Sequence, residues 1–199
     1  IQTMAWVNEK AVWLPTPFIP LVGALAGAVS GLILGYFCTR RHGVAFAMIT
    51  LAVTELMSAG ALMLNEVSGG EEGISAWREP FLGIAFGTES EVYYLLLFWV
   101  LLSTAVLYGF TRTPFGRLAL AVRDNAERAQ FAGYNTYAVR LIVFTISGLF
   151  SGVAGALLAI NTEIINYEMM GLLESGSVLI NTYIGGIGFF SGPILGAAL

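Results

Sequence analysis

Residues 18–38 read FIPLVGALAGAVSGLILGYFC, and no charged side chain occurs between the two ends. Crossing the roughly 30 Å hydrocarbon layer of a bilayer takes about 20 consecutive apolar residues in a helix. This stretch meets that length, so it predicts a membrane-spanning helix. It also carries Gly23, Gly27, Gly31 and Gly35 at four-residue spacing. That spacing puts all four on one stripe of the helix, where the missing side chains let another backbone approach. The stretch therefore reads as a packed span rather than a helix solvated by lipid on all sides.

Working outward, four more segments are apolar enough to count: 43–65, 91–111, 137–160 and 173–187. A sixth begins at Pro193. Over the whole chain of 199 residues, 57% are hydrophobic and 11% charged. Soluble domains carry roughly 25% charged residues, and so few charges cannot cover a water-exposed surface of this size. No strand alternation of useful length occurs. The expected fold is all-α: one polytopic transmembrane helix bundle over 1–199, with at least five spans plus a truncated sixth. The chain starts at Ile1 and ends at Leu199 inside an apolar run, which reads as a fragment of a longer protein.

Charge sets the orientation. Arg40, Arg41, Arg112, Arg117, Arg123, Arg128 and Arg140 make up seven of the nine Lys and Arg residues. They fall in the 39–43 connection and in or beside the 112–136 loop. Basic loops stay on the cytoplasmic side, so both connections are expected there. The 66–90 loop holds Glu66, Glu71, Glu72, Glu79 and Glu89 against Arg78 and is expected to be external. Glu163, Glu168 and Glu174 fall on that same external side. Five helices threaded alternately satisfy all of these assignments.

The fourth span repeats the small-residue pattern with Ser147, Gly148, Ser151, Gly152 and Gly155, so Gly148 and Gly152 join the first-span glycines as packing positions. Polar groups inside spans are costly, and a carboxylate at the bilayer centre costs about 2.5–3.5 kcal/mol on insertion scales. Glu55 lies near the middle of the second span and is expected to face the bundle interior or a wet cavity. Thr50, Thr54 and Ser58 accompany it at four-residue spacing. In the fifth span Ser177 and Asn181 share a face. Glu55, Thr54, Ser177 and Asn181 are thus candidates either for a translocation path or for hydrogen bonds between helices. Gly185, Gly186, Gly188 and Gly192 with Pro193 cannot sustain a straight helix. They read as a tight turn between two spans, or as a hinge near an inner gate.

The stretch 114–135, PFGRLALAVRDNAERAQFAGYN, is longer and more ordered in pattern than a passive connector needs to be. Phe115, Leu118, Ala119 and Val122 fit one helical face. Asp124 is placed to cap a second short helix, with Glu127 completing a capping box. Asp124 and Arg128 are spaced to pair, and Gly133 is a natural stop. A compact helix with Ala126, Ala129 and Ala132 beside charges suits docking into a groove of a soluble partner.

These residues resemble the coupling segment of ABC-type permeases for branched-chain amino acids, the LivM-like family. Three further stretches resemble that family: RHGVAFAMITLA at 41–52, SGGEEGI at 68–74 and GGIGFFSGPILGA at 185–197. The order and spacing of the four agree, from about residue 20 to the end. The resemblance implies a second homologous permease subunit, two cytoplasmic ATP-binding subunits and an external substrate-binding protein. It implies a place in the cell's inner membrane. It also makes 123–133 the coupling helix, with Arg123, Asp124, Asn125, Glu127, Arg128, Ala129 and Gly133 at the contact. Where the family often carries Glu, this chain has Ser177, and that departure leaves the substrate open. Urea and short amides are carried by close relatives of the family.

Several classes are excluded by the residues themselves. A net charge of −4 gives no basis for nucleic-acid binding. His42 and Cys38 are the single histidine and cysteine, too few for a metal site. No GxxxxGK[ST] phosphate loop is present, so ATP is expected on partner subunits, and no cofactor is expected on this chain. No catalytic motif suggests an enzyme. The expectation is a permease subunit of an ATP-driven importer for branched-chain or related amino acids. The other readings are an ion-coupled secondary transporter using Glu55 as its coupling carboxylate, and a structural membrane subunit without a path.

Overall fold

A computed structural model describes residues 16–40, 43–63, 74–75, 89–165, 171–186, 188 and 190–198. Among them the chain forms α1 (Ile19–Cys38), α2 (Val44–Met63), α3 (Glu89–Arg112), α4 (Pro114–Asp124), α5 (Ala126–Phe131), α6 (Thr136–Thr162), α7 (Leu172–Gly185) and α8 (Gly192–Ala198). A single turn of 3-10 helix, Thr16–Phe18, leads into α1, and Pro20 occupies its first turn. Proline suits that position because the amide it lacks has no partner inside the helix. Four helices, α1, α2, α3 and α6, are long and apolar enough to cross a membrane.

The packing starts at the glycines. α1 and α6 run antiparallel with their backbones in contact. A Cβ added to Gly23 would lie 2.5 Å from the Gly152 carbonyl oxygen, and one added to Gly148 would lie 2.7 Å from that of Gly27. Farther along, Gly31 faces Gly148 and Thr145, and Gly35 faces Phe144 and Leu141. Dispersion between two backbones at this range replaces the hydrophobic drive that lipid removes. The expected α6 stripe splits in the fold. Gly148 and Gly152 face α1, whereas nothing lies within 4 Å of a Cβ at Gly155.

α3 lies against this pair. Ala24, Val153 and Leu157 are buried under Leu96 and Trp99, and Val92 is buried against Ile160 and Ile19. The opposite end is closed by α4 and α5, where Val122, Ala129 and Val139 are buried with Phe115, Leu118 and Ala119 around them. The apolar face expected for α4 is thus the face it buries. α2 differs from the other three long helices. Its apolar window has no buried residue, and its ring contact with α6 is Phe46 edge-on to Phe144, 6.2 Å between centroids.

Two short strands, Ile74–Ser75 and Ile164–Ile165, pair antiparallel, with Ile74 opposite Ile165. They bring part of the 66–90 segment to the end of α6, as alternate threading of the helices requires. The rest of that acidic loop, including Glu66, Glu71 and Glu72, lies outside the described residues. The expected fifth span takes a different form. α7 has 14 residues, which at 1.5 Å per residue is about 21 Å and short of the roughly 30 Å core. It folds back on α8 through the 186–191 turn, and a Cβ at Gly185, Gly192 or Gly196 would collide with the backbone of the facing arm. Gly186, at φ +98°, begins the reversal. The glycine-rich stretch is therefore the tight turn of a helical hairpin.

Candidate functional site

Among the described residues the arginines gather at one end of the bundle, the basic end. Arg40 follows α1 and Arg112 closes α3, and each folds back over a tyrosine one helical turn earlier. The Arg40 guanidinium lies 4.3 Å from the Tyr36 ring centroid and the Arg112 guanidinium 4.7 Å from that of Tyr108. Each also donates a hydrogen bond to the hydroxyl of the same tyrosine. An amphipathic ring with a cation above it is suited to the level where hydrocarbon meets water. The turn between α7 and α8 reaches this end too, since the Phe190 and Tyr108 rings meet at 5.3 Å.

α3 turns into α4 over one residue. Thr113 caps α4, its hydroxyl accepting from the Gly116 amide at 3.1 Å, and Pro114 opens the helix. Gly116 lets the elbow close: a Cβ there would sit 2.9 Å from the Thr111 Cα. α4 ends at Asp124, where Asn125 takes an extended conformation. Asn125 then caps α5, its side-chain oxygen accepting from the Arg128 amide at 3.0 Å. This corrects the expected cap. Asp124 is the last residue of α4, Glu127 stands at the second position of α5 and not the third, and no capping box forms. The expected Asp124–Arg128 pair is likewise replaced, because Asp124 accepts from Arg123 Nε at 3.2 Å.

The expected stop is found. Gly133 has φ +88°, its amide donates to the Gln130 carbonyl and the Tyr134 amide donates to the Ala129 carbonyl. These two bonds form the glycine-terminated cap that closes many helices. Asn135 then caps α6 through the Ala138 amide at 3.1 Å. The whole 113–135 segment is pinned by side-chain caps and one glycine, which explains how a six-residue helix holds its shape.

The seven expected contact residues divide. Arg123, Asp124, Asn125, Glu127, Arg128 and Gly133 are exposed together at the basic end. Ala129 is not on that surface. It is 7% exposed and packs under Val122 and Val139, so it seats α5 on α4 and α6. Sequence reasoning passed over Phe131, which is 92% exposed at the end of α5. Tyr134 is half exposed beside it. Among the described residues Phe131 is the most exposed of the large hydrophobic side chains. It lies two residues, about 200° of helix, from Ala129, so its exposure follows once Ala129 is known to face inward.

The expected path residues do not converge. Glu55 is exposed on α2, on the side that this chain leaves uncovered, and not in the bundle interior. The expectation did not fix which helices would enclose the carboxylate, and among the described residues α2 has too little packing to do so. Thr50 and Thr54 are half-buried, and each hydroxyl donates to a carbonyl of its own helix, Thr54 to Thr50 at 3.0 Å. Asn181 packs its backbone on Gly196 in the hairpin, and Ser177 is exposed on α7. α2 and α7 share no substantial interface among the described residues. Those residues also contain no group of three His, Cys, Asp or Glu placed to hold a metal.

Comparison with known proteins gives the chain its relatives. The family described as branched-chain amino acid transport system / permease component matches residues 2–199. The high-affinity branched-chain amino acid transport system permease protein LivM of Salmonella typhimurium is 30% identical, over 91% of this chain and 48% of the relative. The L-arabinose ABC transporter permease protein AraH of Azospirillum brasilense is 28% identical, over 85% of this chain and 48% of its own length. The ribose import permease protein RbsC of Haemophilus influenzae is 25% identical, over 96% of this chain and 59% of its own. The chain thus spans about half the length of the first of these curated relatives. No solved structure matches it.

Proposed function

Because the chain belongs to the branched-chain amino acid transport system / permease component family, we propose that it acts as the membrane permease subunit of an ATP-driven importer. The observation that carries this reading is the capped α4–α5 segment, where Phe131 is exposed on the same short helix as the exposed Glu127 and Arg128. A rigid apolar side chain inside a polar rim is how one protein anchors in a groove of another. Two ATP-binding subunits beneath the basic end are the proposed owners of that groove, and this chain leaves hydrolysis to them. The basic end is then cytoplasmic, with 39–43 and 112–136 on that side and 66–90 outside, as the arginine distribution favours.

Glu55 supports the second half of the proposal. A carboxylate at mid-span that its own chain leaves open needs cover other than lipid. A second, homologous permease subunit against α2 supplies it, and a path between the two subunits passes Glu55. Thr54, Ser177 and Asn181 are the other residues proposed along that path. An external binding protein delivers the substrate at the acidic end. Branched-chain amino acids are the first reading, on the LivM relative. A pentose is the second, because the arabinose and ribose permeases match 85% and 96% of the chain, against 91% for LivM.

The test is uptake of labelled leucine and of labelled arabinose by cells lacking the cognate ATP-binding subunits. Import of whichever of leucine and arabinose the intact system carries should disappear. Import that persists and follows a proton or sodium gradient would return the protein to the ion-coupled class.

A further inference from the structure

The helices do not close on one another at the basic end. A cavity of about 620 Å³ lies between the end of α1, the start of α2, the α3–α4 elbow and the first turns of α6. This is within the roughly 300–1,000 Å³ typical of sites for organic ligands. Phe46, Phe110, Leu120, Val143 and Phe144 make much of its wall apolar. Two arginines, Arg123 and Arg140, also line it, and among the described residues no carboxylate does.

The two arginines are differently placed. Arg123 is well exposed and has Asp124 at 3.2 Å. Arg140, in the first turns of α6, is half-buried and has no hydrogen bond or ion pair among the described residues. A charge drawn partly out of water needs a counter-charge. The depth of the site is marked by its neighbours. Tyr36–Arg40 and Tyr108–Arg112 end the adjacent spans at the same end of the bundle, and such aromatic and basic pairs sit at headgroup level.

An apolar ligand would leave Arg140 without an anion. A small soluble anion would leave the apolar wall wet. An amphiphile with an anionic head answers both, and the bilayer supplies one. We propose that this cavity binds a single anionic phospholipid, its phosphate on Arg140 with Arg123 as second cation, and an acyl chain among Phe46, Phe110, Val143 and Phe144. Basic pockets between membrane helices recognise headgroups in this way. The inference needs only that α1, α3 and α6 cross a bilayer. It does not rest on the substrate or on the ATP-binding subunits, so either reading can fail alone.

The full-length permease, purified in detergent, is offered equal amounts of phosphatidylglycerol and phosphatidylcholine with the same chains, and retained lipid is read by native mass spectrometry. One phosphatidylglycerol per chain should be retained, preferred by about tenfold, equivalent to roughly 1.4 kcal/mol. Arg140→Gln should bring the two lipids close to parity. Ala119→Phe, which fills the cavity, should reduce retention of both, and Arg117→Gln, outside the cavity, should change nothing. No preference in the unaltered protein would overturn the proposal, as would a preference that survives both Arg140→Gln and Ala119→Phe. Displacement by glycerol 3-phosphate would make this a small-anion site instead. Release of the lipid on adding the ATP-binding subunits would assign the cavity to a protein contact.

Discussion

The α1–α6 seam and the α4–α5 segment are built on opposite terms. In the seam, Gly23, Gly27, Gly148 and Gly152 bring two backbones together, and the glycine face of each helix is covered by the other. In α4–α5, Ala129 and Val122 face inward while Phe131 and a ring of charges face out. The seam has no room for a side chain, and the segment displays one with nothing on it. Where a helix is finished by its own chain, its small residues are structural. Where it is capped and left open, its large residues point to a partner. α2 belongs with the second kind, because Glu55 and its apolar neighbours Leu51 and Leu56 are exposed.

The contrast is broken most severely at the seam. Gly152→Leu should destabilise the protein by about 3 kcal/mol, the upper part of the usual range for overpacking, and should be read as loss of folded protein from membranes. Gly155→Leu, three residues away and facing open space, should leave that yield unchanged. Equal losses at the two positions would mean that the seam is not where the pair is held. On the open side, Phe131→Ala should weaken binding of the ATP-binding subunits about 30-fold, the roughly 2 kcal/mol expected of a central anchor. Its own melting temperature should not fall.

Glu55→Gln should lower uptake about tenfold, the effect of losing roughly 1.4 kcal/mol of interaction, with normal assembly. Unchanged uptake in a normally assembled complex would remove Glu55 from the path. The smallest effect is expected at the cap. Asn125→Ala should cost about 1 kcal/mol, seen as faster hydrogen exchange of the Arg128 amide. Asp124→Ala should leave that amide as it is. The reverse ranking would restore Asp124 as the cap.

The difference between the two regions also explains what was legible beforehand. The seam glycines, the four long spans and the basic end follow from spacing and charge, because lipid restricts spanning structure to long apolar helices. α7 was expected to be a span at nearly its observed length, since a count of apolar residues does not tell a span from the arm of a hairpin. That distinction lies in Gly185 and Gly192 pressing on each other's backbones. The cap could not be chosen from adjacent Asp124 and Asn125, both good cap residues, until the end of α4 was known. Phe131 was hidden for a related reason. Six residues are too few to show a helical period, and its exposure follows from Ala129 being taken inward by Val122 and Val139. Glu55 was expected inside the bundle because a carboxylate within a span needs cover, and its facing away from the chain's own helices depends on how little of α2 the rest of the chain packs against.

The claim that α5 presents Phe131 to an ATP-binding subunit is tested most directly by placing a photo-crosslinker there. Cys38, the single cysteine of these 199 residues, is buried, so Phe131→Cys offers an accessible thiol for attaching it in the full-length permease within the assembled transporter. Irradiation should join the permease to the ATP-binding subunit, and the same probe at Gly155→Cys should not. Cross-linking from position 131 to lipid or to the second permease alone would contradict the account.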